Sequence, residues 1–393
     1  MISEEEALAK ILDLVQPLPG RCVSLSQALD CFSAADLVAR VPLPNFDNSA
    51  MDGYAVVASS CRAGSHLRVV GEQPAGKDRQ LRVSSGKAVR VFTGAPMPAD
   101  ADAVIMQEDV TRDGDQILSN VDVDPGEFVR RRGCDLSEGQ KILARGERIR
   151  STTLALLASQ GLDDAQVGGE VRVSIISTGD ELVTGSQPLH AGEIYETNSA
   201  LLAALLKKSG AKSVSLHHCG DNAPEIESAL REASKQHVVI ITGGVSVGEH
   251  DLVQSALRSI GGKIDIWRVA IKPGKPFLYG RARECAVFGL PGNAVSAFVT
   301  FLRFVRPAIL KMMGAAESEL ALPKIPAQLD VDLKNDGDRT HYFRGRWEEG
   351  KFKTMGRQES HALFGLSQAN ALLRVPPGAK IERGTSVKVE IWD

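Results

Sequence analysis

Four short segments carry residue types suited to holding an anionic ligand: Ser177-Thr178-Gly179-Asp180-Glu181, Cys219-Gly220-Asp221-Asn222, the run from Thr242 to Asp251, and Leu290-Pro291-Gly292-Asn293. Glycine lets a backbone approach a ligand closely, and the free N–H groups at a helix N-terminus hold an anion without any side chain. Any one of these glycines could simply permit a tight turn between a strand and a helix. Four such loops at one sheet edge argue for a phosphate site. The run Gly243-Gly244-Val245-Ser246-Val247-Gly248 has neither the GxGxxG spacing nor the GK[ST] ending of a P-loop, which argues against ordinary ATPase or nicotinamide chemistry.

Lys272 and Lys275 flank Pro273-Gly274 and precede Pro276, a stiff turn suited to point-charge contacts with phosphate or another oxyanion. Asp52, Asp135, Glu181, Asp221 and Asp251 are the acidic counterpart. Carboxylates beside an oxyanion repel it unless a cation intervenes, so the mixture suggests Mg²⁺ bridging acidic side chains and phosphate. Taken singly, each acid is equally a cap or turn residue. His217 and His218 point to opposite faces of a strand and do not share a metal, whereas His250 lies beside Asp251 in the Gly-rich run. No Ser/His/Asp or Cys/His nucleophile pattern stands out, so the chemistry rests on positioning and electrostatics.

These loops need a scaffold. From residue 171 the pattern predicts strand 171–176, helix 198–208, strand 213–216, helix 224–235, strand 238–241, helix 251–260, strands near 264–269 and 286–288, and a long apolar helix 294–313. This alternation implies a parallel-type sheet covered by helices, with ligands outside the carboxyl ends of its strands. A capping box at Ser3 and Glu6 starts a helix over 4–15, and a second helix spans 151–160. Short β-type runs fill 56–143 and again follow residue 323.

The 393 residues exceed one ordinary core. We read a linker domain over 1–45 and 139–170, an inserted mainly β domain over 46–138, a three-layer α/β domain over 171–318 and a barrel-like β domain over 319–393. With 43% hydrophobic and 24% charged residues and a net charge of -3, general nucleic-acid or membrane affinity is not expected. Six scattered cysteines without a CxxC pair fit a reducing cytoplasm. The acidic start Ser3-Glu4-Glu5-Glu6 is not a secretory signal, and no apolar run reaches membrane-spanning length.

Taken together, Pro44 to Ala55 (PNFDNSAMDGYA), Thr93 to Pro96, Val104 to Glu108, Arg130 to Gly133, Ser177 to Glu181, Gly243 to Gly248, Lys272 to Pro276 and Leu290 to Asn293 resemble the molybdopterin molybdenumtransferase family, which includes MoeA and the E domain of gephyrin. The resemblance runs over nearly the whole chain. It implies an enzyme that takes adenylylated molybdopterin and molybdate, releases AMP in a Mg²⁺-dependent step, and leaves molybdenum on the dithiolene sulfurs. By motif position it implies catalytic roles for Asp52, Thr93, Asp135, Glu181, Lys272 and Lys275. Pterin contacts would come from Thr178, Gly179, Asp180, Asp221, Gly243, Gly244, Val245, Ser246, Gly248, Pro291, Gly292 and Asn293, and the metal would sit on Asp221 and Asp251. It also implies a homodimer, with Asp52 serving its own cleft or the partner's, and contacts with the molybdopterin adenylyltransferase and recipient molybdenum enzymes. Two other readings share part of the pattern: the adenylyltransferase itself, resembling 171–313, and a gephyrin-like scaffold. One departure is Ala294, where the family usually has proline after Pro-Gly-Asn.

Overall fold

The computed structural model describes residues 1–244 and 252–392, with Ser213 and Val214 described by backbone alone. The chain forms two compact units, Met1–Ala35 with Ala144–Ala158 and Leu162–Asp393, and Asp36–Leu143 with Ser159–Gly161.

In the larger unit, helix α1 (Glu4–Leu14) opens with the predicted capping box, in which Ser3 Oγ accepts from the Glu6 amide and the Glu6 carboxylate accepts from the Ser3 amide. Helix α2 spans Ser151–Ser159. The α/β region follows: β1 (Arg172–Thr178), α3 (Asn198–Lys208), β2 (Lys212–Cys219), α4 (Ala223–Ala233), β3 (Val238–Thr242), α5 (Leu252–Ser259), β4 (Lys263–Trp267), β5 (Leu278–Ala282), β6 (Cys285–Leu290), α6 (Ala294–Thr300) and α7 (Arg306–Met312). The six strands lie in the order β2-β1-β3-β6-β5-β4. Val238 and Ile240 of β3 join one apolar core while Val239 and Ile241 join the other. Alternate side chains leave opposite faces, so a strand covered on both sides reads as an unbroken apolar run.

Two details correct the sequence reading. Only β2, β1, β3 and β6 are joined by parallel pairings; β5 pairs antiparallel with β6, and β4 antiparallel with β5. Strand β5 was not anticipated because the Arg283-Glu284 turn that joins it to β6 lacks the Asn-Gly or Asp-Gly signature, although Arg283 adopts φ 55°. The long helix is also interrupted by a π segment at Phe301–Val305. Arg303, within that segment, reaches Glu4 Oε1 at 2.5 Å and Glu390 Oε2 at 2.7 Å, and Tyr342 Oη donates to Glu4 at 2.6 Å. This buried network ties α1, the π segment and the C-terminal strands together.

Those strands are β7 (Lys324–Leu329), β8 (Thr340–Glu348), β9 (Lys351–Thr354), β10 (Ala371–Val375) and β11 (Ser386–Ile391). Pairing in the order β8-β9-β7-β11-β10, with β10 returning to β8, closes a five-stranded barrel. A two-residue strand, Ile271–Lys272, joins it in parallel with Thr340–His341. In the smaller unit a six-stranded sheet runs Ala103–Met106, Gly53–Val56, Lys87–Val91, His66–Gln73, Gln116–Ser119 and Val110–Asp113. Tyr54, Val56, Leu67, Ile105 and Ile117 form its core. No helix among the described residues is long and apolar enough to cross a membrane.

Candidate active site

In the α/β region the chain leaves β1 toward β2 on one side, while β3 lies on the other. Such a switch point opens a crevice at the carboxyl ends of parallel strands. A cleft of about 640 Å³ lies there, lined by Thr178, Gly179 and Glu181 after β1, Asp221 after β2, Thr242, Gly243 and Gly244 after β3, and Gly292 and Asn293 after β6. All four predicted loops therefore converge. Gly243 and Gly244 have φ of 86° and 61°, and a Cβ on Gly243 would lie 2.2 Å from the Thr178 carbonyl oxygen. These positions need glycine for both backbone conformation and space. Pro291 adds its carbonyl, which accepts from Thr242 Oγ1 at 3.2 Å. Val245, Ser246, Gly248, His250 and Asp251 lie outside the described residues.

The acidic rim is crowded. The Asp221 amide donates to Asp180 Oδ1 at 2.9 Å, and the Gly220 amide donates to Glu225 Oε2 at 3.3 Å. Lost solvation first, and then repulsion from Asp180 and Glu181, hold the Asp221 carboxyl above its ordinary range. Among the described residues no group of three or more His, Cys, Asp or Glu side chains forms a ready metal cage.

Lys272 and Lys275 are exposed and do not line this cleft themselves, although the adjoining Pro276 does. Their loop is held firmly. Lys272 is stitched to the barrel through its pairing with His341, and Gly274, at φ 123°, sits where a Cβ would be 2.7 Å from Thr300 Cγ2 of α6. His341 is only 5% exposed, and its Nε2 meets no hydrogen-bond partner among the described residues. Burial, followed by the nearby charges of Lys272, Arg344 and Arg339, pulls its pKa down to about 4. The corner is therefore rich in positive charge, as an oxyanion site requires.

In the smaller unit the structure brings Asp52 and Thr93 together. The Thr93 amide and hydroxyl both donate to Asp52 Oδ1, at 2.7 and 2.9 Å. These bonds, the amide first, hold the Asp52 carboxyl below its ordinary range. Gly53 cannot carry a side chain, since its Cβ would lie 1.9 Å from the Ile105 carbonyl oxygen. Asp47 accepts from the Arg132 amide at 2.7 Å and the Arg131 guanidinium at 2.8 Å, which ties this segment to 130–136. Asp135, exposed on that segment, donates its amide to the Leu43 carbonyl oxygen.

Three family models tile the chain: the MoeA N-terminal region (domain I and II) over residues 2–161, a probable molybdopterin binding domain over 174–311, and the MoeA C-terminal region (domain IV) over 326–392. A protein of Haemophilus influenzae named molybdopterin molybdenumtransferase is 36% identical over 99% of this chain and 98% of its own length. The chain belongs to the MoeA family. A Nostoc relative of the same name is 37% identical over 85% of this chain and 80% of its own. The crystal structure of a molybdopterin biosynthesis MoeA protein from Pyrococcus horikoshii superposes with a TM-score of 0.86 at 31% identity, covering 100% of both chains.

Against this MoeA scaffold, several cleft residues lay beyond the motif reading. Asn198 reads from sequence merely as a helix start. Its Nδ2 donates to Thr242 Oγ1 at 2.8 Å and to the Gly292 carbonyl at 2.7 Å. Ile194 and Tyr195 line one wall, in a long connection between Glu181 and Asn198 whose length alone could have drawn attention. Asn293 Nδ2 reaches Ser360 Oγ at 3.0 Å. Ser360 is carried there by a segment that the buried Arg344 guanidinium holds through the carbonyls of Arg357 and Glu359. No local pattern marks contacts spanning 67 residues.

Proposed function

We propose that this protein inserts molybdenum from molybdate into adenylylated molybdopterin with release of AMP, in a Mg²⁺-dependent reaction. Membership of the family makes it a transferase of molybdenum cofactor biosynthesis. The single observation that carries the finer reading is the convergence of four glycine-bearing loops, two of them acidic, at the sheet's switch point, next to a loop presenting two exposed lysines.

In this reading the backbone of Gly243 and Gly244 takes the substrate's phosphates, as close-approach glycines do. Lys272 and Lys275 hold molybdate as an oxyanion, with Glu181 completing the charge pattern, and Asp135 has the catalytic role that the family resemblance implies. Asp221 and Asp251 would hold a magnesium ion, which would supply positive charge to offset that of the phosphoanhydride. The crowding that raises the Asp221 carboxyl is the state a cation relieves. Asp52, held ionised by Thr93, has the catalytic role that the family resemblance implies. A homodimer, a cytoplasmic location, and contacts with the adenylyltransferase and recipient molybdenum enzymes complete the proposal.

The adenylyltransferase alternative leaves the family's N-terminal and C-terminal regions unexplained, and a pure scaffold has no need of the acidic and basic set. The test supplies purified protein with adenylylated molybdopterin, Mg²⁺ and molybdate. AMP release that depends on molybdate, together with activation of a cofactor-free molybdenum enzyme, is the expected result. AMP release indifferent to molybdate sinks it.

A further inference from the structure

We propose that Asn198 and Thr178 form a ring-reading subsite in the cleft, in which the Asn198 carbonyl accepts from an exocyclic amino group on the substrate's heterocycle and excludes its phosphates. The proposal rests on the reading of this cleft as the adenylylated pterin site.

The geometry leaves little freedom. The Gly292 carbonyl can only accept, so the side-chain atom of Asn198 facing it must be the amide nitrogen, and the O/N assignment cannot be reversed. Both amide hydrogens are then used, one on Gly292 and one on Thr242 Oγ1. Thr242, having accepted, donates onward to Pro291. Asn198 Oδ1 is left as a fixed acceptor in a residue 7% exposed, with no hydrogen-bond partner among the described residues. Thr178 Oγ1, in a residue 2% exposed, likewise has none among the described residues. It lies beneath Gly243 and Gly244, where a Cβ would come within 2.8 and 2.9 Å of it. Buried polar atoms without partners are uncommon and costly, and here two of them belong to residues that line one cleft.

A phosphate oxygen offers only lone pairs to Asn198 Oδ1 and is repelled. An exocyclic amino group of a planar heterocycle fits, with the Thr178 hydroxyl free to donate to a ring nitrogen or accept from a second N–H. Tyr195, Ile194 and Leu182 supply an apolar wall for such a ring. Adenine and pterin both carry this chemistry, and both belong to the proposed substrate.

The experiment measures binding of two matched pairs to the full-length protein: AMP against inosine monophosphate, and pterin against lumazine. Each pair exchanges a ring amino donor for an oxo acceptor. Wild type should favour the amino member of one pair by about tenfold, the worth of one well-placed hydrogen bond, and that pair identifies which ring occupies the subsite. Asn198→Ser should erase this preference. Thr178→Val, which loses no internal bond and keeps the shape, should reduce affinity for both members without lowering the melting temperature. A purely structural role for Asn198 would weaken all ligands together and preserve the ratio, which overturns the proposal. Equal binding within both pairs by wild type also overturns it while leaving the wider functional reading intact. Failure of wild type to bind any of the four defeats both.

Discussion

His341 offers a direct measure of the charge around Lys272. Its imidazole is buried between β8 and the lysine loop, with its ring centroid 3.9 Å from that of Phe343 and with Lys272, Arg344 and Arg339 as charged neighbours. The folded pKa of about 4 lies below the ordinary 6.5. Between those values the unfolded chain takes up the proton and the folded chain does not, so stability falls as the pH falls from 6.5 toward 4. At pH 4.5 the two values imply a loss of about 2.5 kcal/mol from this one residue, against almost nothing at pH 7.5. His341→Gln removes the titration but keeps a neutral polar side chain. Urea unfolding followed by tryptophan fluorescence is the assay, because Trp267, Trp347 and Trp392 all lie in the unit that contains His341. Wild type should lose about 2.5 kcal/mol more than the variant between pH 7.5 and 4.5. Parallel losses in the two proteins, or an imidazole titrating near 6.5 by NMR, would refute the reasoning. If Lys272 holds molybdate as proposed, the bound oxyanion should offset part of the positive field and move the imidazole pKa upward.

Asp52→Asn should abolish molybdate-dependent AMP release while adenylylated molybdopterin still binds; normal turnover by this variant would remove Asp52 from the site. Thr93→Val leaves the stronger amide contact in place, so the Asp52 carboxyl pKa, followed by NMR, should rise only part of the way to its ordinary value. Glu4→Ala strands the buried Arg303 with Glu390 alone and should cost about 3–5 kcal/mol of stability, read as a large drop in melting temperature. Gly243→Ala drives a methyl group against the Thr178 carbonyl and should eliminate AMP binding. Gly185→Ala, at φ 83° with nothing within 4 Å, is the matched control for backbone strain alone and should bind AMP normally.

What was legible in the sequence had local physical causes. The capping box at Ser3 and Glu6 is a contact across three residues, and it fixed the start of α1. The apolar run 238–241 announced a strand buried on both faces because neighbouring side chains enter separate cores. Loops rich in glycine betrayed close backbone approach, and parallel alternation placed them at one sheet edge. The motif order also carried the family resemblance. Strand β5 was missed because its turn, at Arg283, uses a left-handed conformation without the usual residue type.

The rest was decided by pairings across long stretches of chain. The closure of β10 onto β8, the placement of Lys272 against His341, the reach of Ser360 to Asn293, and the fixed orientation of the Asn198 amide all join segments that share no local pattern. Sequence determined which residues could bind a phosphate or an oxyanion, because that capacity belongs to side-chain type and backbone freedom. Only the tertiary structure decided which of their atoms remain unpaired and therefore available to a ligand, because hydrogen-bond satisfaction is a property of neighbours brought together by folding.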